Sequence, residues 1–146
     1  ALSEEKDGAP DEVVGMTVVR AGATLLTVTE TGYGRRSSFD DYRLQSRAGK
    51  GIINYRTALY GDVAAIKSVD DNDDVIMISS GGVIIRIESG QVNLLSRPAK
   101  GVRVMRVDEG EKLVTLACAE HEEPHSEEEA AQGAGDSTSE VDAQVE

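Results

Sequence analysis

Short apolar runs rich in β-branched residues recur along the chain and are bounded by turn residues, which is typical of strands rather than helices. The clearest runs are LLTVT (25–29) and VIMIS (75–79), followed by Gly32 and Gly82, which can take the positive φ of a tight hairpin. Further apolar segments flank these hairpins at 13–19, 62–69, 51–56 and 101–107. The pattern predicts about four antiparallel strands in each of two units and no long helix before residue 120.

A shift of fifty positions superimposes the two units without a gap. Identical residues align along the whole length, including Val13 with Val63, Gly32 with Gly82, Leu44 with Leu94 and Arg56 with Arg106. Two basic stretches, SRAGKG (46–51) and SRPAKG (96–101), fall in the same register. We therefore expect one unit at 12–61 and a second at 62–119, of which 112–119 is the opening strand of a third repeat.

Four strands in about fifty residues is the size of a propeller blade. The kelch repeat has a similar period and a double glycine, which Gly81–Gly82 matches, but the first unit has Thr31–Gly32 there and the chain has no Trp. Two blades cannot close a ring, because each repeat needs neighbours to bury its faces. We expect a fragment of a larger propeller-like domain, with residues 1–11 as a linker from an upstream blade.

Charge is segregated along the chain, although the net charge of −12 hides this. Residues 120–146 hold ten acidic and no basic residues, whereas 13–119 hold 14 basic and 12 acidic residues, a sum of +2. This division is typical of a nucleic-acid surface accompanied by an acidic tail. The tail is poor in apolar residues, so we expect 120–146 to be disordered. We hypothesise that it competes with DNA for the basic surface, so that its deletion raises DNA affinity.

The stretch LLTVTETGYGRRSSFDDYRLQSRAGKGIINYRT (25–57) strongly resembles the C-terminal domain of the DNA gyrase A subunit, and the second unit resembles its final blade. The resemblance covers about 13–119. It implies an all-β, six-bladed β-pinwheel, whose neighbouring blades exchange strands and whose basic rim is wrapped by DNA. QSRAGKG (45–51) has Ala48 where the family's box, Gln-x-Arg-Gly-Gly-x-Gly, has glycine, and LSRPAKG (95–101) departs further. Both look like later-blade relics of that box.

Cations surround both basic stretches. The small residues between Arg47 and Lys50 keep that loop low, so a phosphate backbone can approach both charges and the loop amides. Repetition around a ring would place equivalent cations along one rim, which suits sequence-tolerant wrapping of duplex DNA. The candidate DNA-binding residues are Arg35, Arg36, Arg43, Arg47, Lys50, Arg86, Arg97, Lys100 and Arg103. The alternative is that these charges are solvated blade edges that prevent edge-to-edge pairing, and the residues alone leave both open.

No catalytic or metal-binding constellation stands out, so the chain itself is expected to be non-catalytic, with no cofactor or metal of its own. His121 and His125 lie in the acidic segment, where nothing preorganises them as ligands. RAGKGI (47–52) lacks the glycine spacing and the Ser/Thr of a P-loop. Core or hairpin packing is the expected role of the few aromatic residues, Tyr33, Phe39, Tyr42, Tyr55 and Tyr60. The single cysteine fits a cytosolic protein, and no apolar run approaches the ~20 residues of a membrane span.

The resemblance implies a DNA-binding and DNA-wrapping module of a bacterial type IIA topoisomerase that supports ATP-dependent negative supercoiling. The whole enzyme would be a cytoplasmic, chromosome-associated A2B2 heterotetramer of two A and two B subunits. It would use ATP through its gyrase B partner and Mg²⁺ at its cleavage core, both outside this chain. The alternatives are a protein-binding propeller and the C-terminal domain of the topoisomerase IV A subunit.

Overall fold

The structure, a computed structural model, describes residues 11–97 and 99–120. This part of the chain contains seven strands: β1 (Thr24–Thr29), β2 (Tyr33–Ser38), β3 (Val63–Val69), β4 (Asp73–Ser79), β5 (Ile84–Glu88), β6 (Val102–Arg103) and β7 (Leu113–Glu120). One helical turn, α1 (Thr57–Tyr60), precedes β3, and two 3₁₀ turns follow the hairpins at Phe39–Asp41 and Ser89–Gln91. The prediction of an all-β chain is confirmed.

The first sheet has four antiparallel strands in the order β3-β1-β2-β6. β1 and β2 form a hairpin at Gly32, where the φ of 85° and a 3.0 Å hydrogen bond from the Gly32 amide to the Thr29 carbonyl close the turn. β3 lies on the other side of β1, with Thr24 opposite Val69. β6 adds two residues to the outer edge of β2.

The second sheet has three antiparallel strands in the order β5-β4-β7. Its β4–β5 hairpin turns at Gly82, with φ of 84° and a 3.0 Å hydrogen bond from the Gly82 amide to the Ser79 carbonyl. β7 pairs with β4 from Asp73 opposite Glu120 to Ser79 opposite Leu113. The fifty-residue repeat of the sequence is therefore a repeat of hairpins.

Each sheet is completed by the opening strand of the next sequence unit. β3 begins the second unit but pairs with β1, and β7 begins the third repeat but pairs with β4. The two pairings also share an irregularity, a register shift between Val28 and Thr29 in one sheet and between Ile78 and Ser79 in the other. These positions are fifty residues apart, so the exchange of strands between neighbouring blades is confirmed together with the β-pinwheel fold.

One hydrophobic core joins the two sheets. Its fully buried members come from both hairpins and from the exchanged strands: Leu26, Val28, Val69, Val75, Met77, Val92, Met105, Leu113 and Leu116. Burial of one such aliphatic side chain contributes on the order of 1.5–3 kcal/mol relative to exposure. Because the core draws on strands of both units, neither unit has a complete core of its own.

Two predicted strands do not form. Residues 13–19 belong to no strand, and Met16 is 93% exposed. Residues 51–56 run irregularly into α1, and the matching segment at 101–107 contributes only β6. The reason is the exchange: an opening strand pairs with the hairpin of the unit before it, and the described part of the chain contains no such hairpin for 13–19. Residues 15–20 instead follow β3 through side-chain contacts, such as the 3.2 Å bond from the Ser68 amide to Thr17 Oγ1.

Several predictions lie outside the described residues. They concern the linker at 1–11 except Asp11, the acidic tail at 120–146 except Glu120, and the histidines His121 and His125. Glu120 is the last residue of β7, so the strand reaches the first position of the predicted tail. In the described ranges, no helix has the length and apolar character needed to cross a membrane.

Candidate nucleic-acid interface

The stretch at 96–101, here named the second basic loop, is held at both ends by the outer edge of β2. Before the loop, the Arg36 amide donates to the Asn93 carbonyl at 3.1 Å and the Leu95 amide donates to the Arg36 carbonyl at 2.8 Å. After the loop, β6 pairs with the start of β2, and the Val104 amide donates to the Gly32 carbonyl at 2.9 Å. The loop of the second unit therefore projects from a fixed edge of the first unit.

Both basic loops end on a glycine with positive φ, 83° at Gly51 and 81° at Gly101. A Cβ at Gly101 would collide with the Gly34 carbonyl, whereas a Cβ at Gly51 would meet no atom within 4 Å. Ala48 also has positive φ, 61°, and is the only such residue other than glycine in the described ranges. The two loops thus share a bend at their last glycine, but only Gly101 packs against a hairpin.

Two cations on either side of Gly101, the last residue of the second basic loop, meet on one tyrosine ring. Lys100 Nζ lies over the Tyr33 ring at 4.7 Å from its centroid, and the Arg103 guanidinium carbon lies at 5.2 Å. Arg103 Nη2 also donates to the Tyr33 hydroxyl at 3.3 Å. The hydrogen bond and the charge of Arg103, aided by Lys100, lower the pKa of Tyr33. The structure brings Lys100 and Arg103 together on Tyr33.

Two further tyrosines lie beside this pair. Lys100 Nζ is 5.7 Å from the Tyr60 centroid, and Tyr60 packs against Tyr33 at 6.3 Å and edge-on against Tyr55 at 5.9 Å. The Tyr55 hydroxyl donates to the backbone carbonyl of Lys100. Burial raises the pKa of Tyr55. We name Tyr33, Tyr55, Tyr60, Lys100 and Arg103 the junction cluster, because it joins the two units.

Arg35 lies in the interior next to this cluster and not on a rim. It is fully buried, its guanidinium carbon is 4.5 Å from the Tyr55 centroid, and it donates to Ser37 Oγ at 3.2 Å and to Asn54 Oδ1 at 3.0 Å. Its Nη1 has no hydrogen-bond partner. The prediction that Arg35 contacts DNA is therefore wrong for this arrangement, because no ligand reaches a fully buried side chain.

Arg36 is also buried and connects the two units. Its Nε donates to the Val92 carbonyl at 2.8 Å, and its Nη1 forms an ion pair with Asp71, in the turn between β3 and β4. A buried guanidinium engaged by a carboxylate is not available to a phosphate. The prediction of Arg36 as a DNA contact is corrected to a structural role.

Arg86 neutralises a buried carboxylate. Its Nε and Nη2 both lie 2.6 Å from Asp74 Oδ2, and the Asp74 side chain is buried while that of Arg86 is half exposed. Arg86 stays a candidate DNA contact. We expect it to attract a phosphate less than an unpaired arginine would, because Asp74 already balances its charge.

The first basic loop, residues 46–51, carries exposed cations with no protein partner in the described ranges. Arg43, Arg47 and Lys50 are all exposed, and none of them forms a hydrogen bond, ion pair or ring contact there. Arg43 and Lys50 line one open depression of about 440 Å³ together with Gly49 and Gly51. Arg43 and Lys50 are thus grouped in one place, and Arg47 is exposed in the same loop.

Arg97 links the two basic loops. Its Nη1 donates to the Ile53 carbonyl at 2.9 Å, just after the first basic loop, and its guanidinium lies 5.8 Å from the Tyr42 centroid. The second basic loop therefore contacts residues that flank the first on both sides. No cluster of three or more potential metal-binding side chains occurs among residues 11–97 and 99–120.

The model of the DNA gyrase C-terminal domain, a β-propeller family, matches the chain twice, at residues 23–70 and 73–120. The chain belongs to this family. Each match begins at a hairpin and ends with an exchanged strand, so the units of the gyrase A family coincide with the two sheets of the structure.

Curated relatives agree with this membership. The chain is 39% identical over 110 residues to the DNA gyrase A subunit of Staphylococcus aureus, in strain MRSA252 and equally in strain NCTC 8325 / PS 47. The match covers 73% of this chain but only 12% of each relative. The chain therefore spans about an eighth of the length of these gyrase proteins.

Solved structures show the same fold. A DNA gyrase A C-terminal domain matches with a TM-score of 0.61 at 26% identity, over 65% of this chain and 33% of that one. The C-terminal domain of a DNA topoisomerase IV matches with a TM-score of 0.64 at 15% identity, over 70% of this chain and 32% of that one. At that identity the second match shows the fold alone.

The sequence analysis assigned Tyr33, Tyr55 and Tyr60 to packing. It did not predict that these tyrosines lie beside the cations of the second basic loop. A signal was present in the repeat itself. Fifty positions after Tyr33, Tyr55 and Tyr60 the chain has Val83, Met105 and Gly110, so the three aromatics occur in one unit only. A coordinated departure from an otherwise regular repeat marks positions with a local role.

Proposed function

We propose that this gyrase-family chain binds duplex DNA through the cations in and beside its two basic loops and helps to wrap it. The observation that carries the proposal is a set of cations that are exposed, or half-buried in the case of Arg97, and that form no ion pair with a carboxylate in the described ranges: Arg43, Arg47, Lys50, Arg97, Lys100 and Arg103. Cations used for solubility are commonly interspersed with acidic residues. Unmatched cations on one surface suit a polyanion.

The surface suits contacts to the DNA backbone rather than to bases. Its cations project from loops and a short edge strand, and the described ranges contain no helix long enough to enter a major groove. Phosphate contacts fix the position of a duplex and release counterions without reading sequence. Preference among sequences then comes from how easily each duplex bends.

We further propose that the parent protein is the A subunit of a DNA gyrase and not that of a topoisomerase IV. The 39% identity to the gyrase A protein supports this, as does the higher identity to the solved gyrase domain, 26% against 15%. In this proposal the whole enzyme is a bacterial, cytoplasmic A2B2 assembly with gyrase B. It uses ATP and Mg²⁺ outside this chain for negative supercoiling, and this chain contributes to the wrap.

The test is a titration of a short fluorescent DNA duplex with the 146-residue chain, followed by anisotropy across a range of salt concentrations. We expect log affinity to fall linearly with log salt, by about 0.9 for each phosphate contacted. A triple substitution, Arg43→Ala, Arg47→Ala and Lys50→Ala, should reduce that slope. The matched control is Lys67→Ala, an exposed lysine of β3 outside both basic loops. A folded chain that fails to bind duplex at low salt would overturn the proposal and favour a protein-binding propeller.

A further inference from the structure

The junction cluster concentrates positive charge without a carboxylate. Lys100 and Arg103 share the Tyr33 ring, and Arg35 lies below Tyr55. In the described ranges none of these three cations forms an ion pair. Like charges held this close repel one another, and an anion placed between them removes that repulsion. The arrangement is therefore incomplete as an electrostatic structure.

Hydrogen-bond donors also remain unused at the exposed end of the cluster. Lys100 Nζ lies over the Tyr33 and Tyr60 rings and has one hydrogen-bonding contact, to the Tyr33 side chain. Arg103 uses only Nη2, toward the Tyr33 hydroxyl. Both side chains are exposed, so their remaining donors face solvent. Rings that hold a cation in place restrict its rotamers before any ligand arrives, which reduces the entropy lost on binding.

The cluster exists only where the two units meet. Tyr33 and Tyr60 come from the first unit, and Lys100 and Arg103 come from the second. Tyr55 fixes the Lys100 backbone, and the pairing of Tyr33 with Arg103 across β2 and β6 fixes the spacing. The second hairpin has Val83 in place of Tyr33, so it cannot provide an equivalent ring.

We propose that Tyr33 organises Lys100 and Arg103 into a seat for one phosphate group at the junction of the two units. The inference deepens the proposed function and rests on it for the source of that phosphate, the backbone of a bound duplex. The Tyr33 hydroxyl receives the Arg103 donor, and its ring positions Lys100. Two cations with several free donors match the charge and the oxygens of a phosphodiester. The ring face is covered by cations, which disfavours the stacking of a base.

The test starts with the unaltered 146-residue chain and needs no variant. Side-chain NMR signals of Tyr33, Lys100 and Arg103 are followed during separate titrations with a short DNA duplex and with inorganic phosphate, at constant ionic strength set by chloride. Shifts with the duplex, alone or with both probes, support a seat for a backbone phosphate. Shifts with inorganic phosphate but not with a bound duplex overturn the DNA source and leave a site for free phosphate. If a duplex binds and the three residues do not respond to either probe, the seat is wrong.

Variants then test whether Tyr33 positions Lys100 and Arg103 for a phosphate or contributes only to packing. Tyr33→Leu and Lys100→Gln should each reduce the salt slope of duplex binding by about 0.9. The double variant should lose little more than Tyr33→Leu, because both changes disable one seat. Tyr33→Phe keeps the ring but loses the hydroxyl, and should fall between the unaltered chain and Tyr33→Leu. Lys67→Ala is the matched charge control and should leave the slope unchanged.

Two failures remain distinguishable. If the unaltered chain binds no duplex, the proposed function fails, while the titration with inorganic phosphate still decides the seat. If the chain binds duplex with its full salt slope after Tyr33→Leu or Lys100→Gln, the function stands and the seat is overturned. Far-ultraviolet circular dichroism of each variant confirms that it is folded, and Lys100→Gln, at an exposed position, covers the case in which Tyr33→Leu unfolds.

Discussion

The hydroxyl of Tyr55 donates a hydrogen bond to the backbone carbonyl of Lys100, so a buried residue of the first unit holds a loop of the second. The contact spans 45 positions of sequence. It lies beside the edge of β2 that already anchors the second basic loop at both ends. The first unit therefore holds the backbone at Lys100 in place.

Tyr55→Phe should lower the free energy of unfolding by about 0.5–1.5 kcal/mol, because it removes this hydrogen bond and leaves a carbonyl without its donor. Urea denaturation measures the change. Tyr60→Phe is the matched control, since it removes the same atom from a neighbouring ring whose hydroxyl forms no hydrogen bond in the described ranges. Equal effects of the two substitutions would contradict the prediction.

The sequence predicts the hairpins well and their partners poorly, and the reason is physical. LLTVT and VIMIS with their glycine turns are local signals, and both hairpins form where the pattern places them. The segment at 13–19 is as apolar as β3, yet only β3 has a hairpin of a preceding unit within the described ranges. Pairing between units is a long-range property that a local pattern does not contain.

The same limit applies to the candidate site. Arg35 and Arg36 are adjacent in β2, and the sequence alone does not distinguish them from the arginines of the loops. Strand geometry points them to opposite faces, and each face is then covered, one by Asn54 and Tyr55 and the other by the second unit. Whether an arginine can contact DNA depends on which residues pack over it. The arginine and its sequence neighbours do not reveal this.

Arg35 and Arg36 should respond differently to replacement by Met. Arg36→Met should destabilise the fold by about 1–3 kcal/mol, because it removes the bonds to Val92 and Asp71 that connect the units. Arg35→Met should cost less. It removes bonds to Ser37 and Asn54, but it also removes a buried charge that has no carboxylate partner and an unpaired Nη1, which offsets part of that loss. The position fifty residues later is Ile85, which is apolar. Urea denaturation of both variants tests the order, and a larger loss for Arg35→Met would contradict it.

Gly101 and Gly51 test the difference between the two basic loops. Alanine at either position must adopt the left-handed conformation, which costs about 1–2 kcal/mol for an L-residue. Gly101→Ala should cost more than Gly51→Ala, because only its Cβ meets the Gly34 carbonyl. Gly51→Ala is thus the control for φ alone. Thermal unfolding of both variants gives the comparison, and equal midpoints would show that the second loop does not pack on β2.

Tyr33 and Tyr55 should titrate on opposite sides of the ordinary tyrosine pKa of 10.0. Tyr33 ionises at lower pH because Arg103 and Lys100 stabilise its phenolate, whereas Tyr55 ionises at higher pH because it is buried. For Tyr55, the stability that comes from the raised pKa is complete below the unfolded value and is lost as the pH rises through the folded one. Tyr33 has the opposite sign: its contribution is present above the unfolded value and is lost as the pH falls through the folded one.

NMR of the ring carbons bearing the hydroxyls, recorded across the alkaline range, measures both pKa values directly. Arg103→Gln should return the pKa of Tyr33 toward 10.0, because it removes the largest cause of the shift. It should change the pKa of Tyr55 far less, since burial and Arg35 are the largest causes there and the charge of Tyr33 is the last. A Tyr33 pKa that does not move in Arg103→Gln would show that the ring and the guanidinium do not interact in solution.

The exposed cations of the first basic loop should account for separate phosphate contacts. Arg43, Arg47 and Lys50 have no protein partner in the described ranges, so their removal costs no internal bond, and stability should change by less than about 0.5 kcal/mol for each. Each alanine substitution should instead lower the salt slope of duplex binding by about 0.9 if its cation contacts a phosphate. Arg36→Met should show the reverse: the free energy of unfolding falls, and the folded protein binds duplex with a nearly unchanged salt slope. Anisotropy and urea denaturation on the same samples separate the two profiles. If loop substitutions destabilise the fold and leave the slope intact, the first basic loop is a structural element, and the DNA path must lie elsewhere.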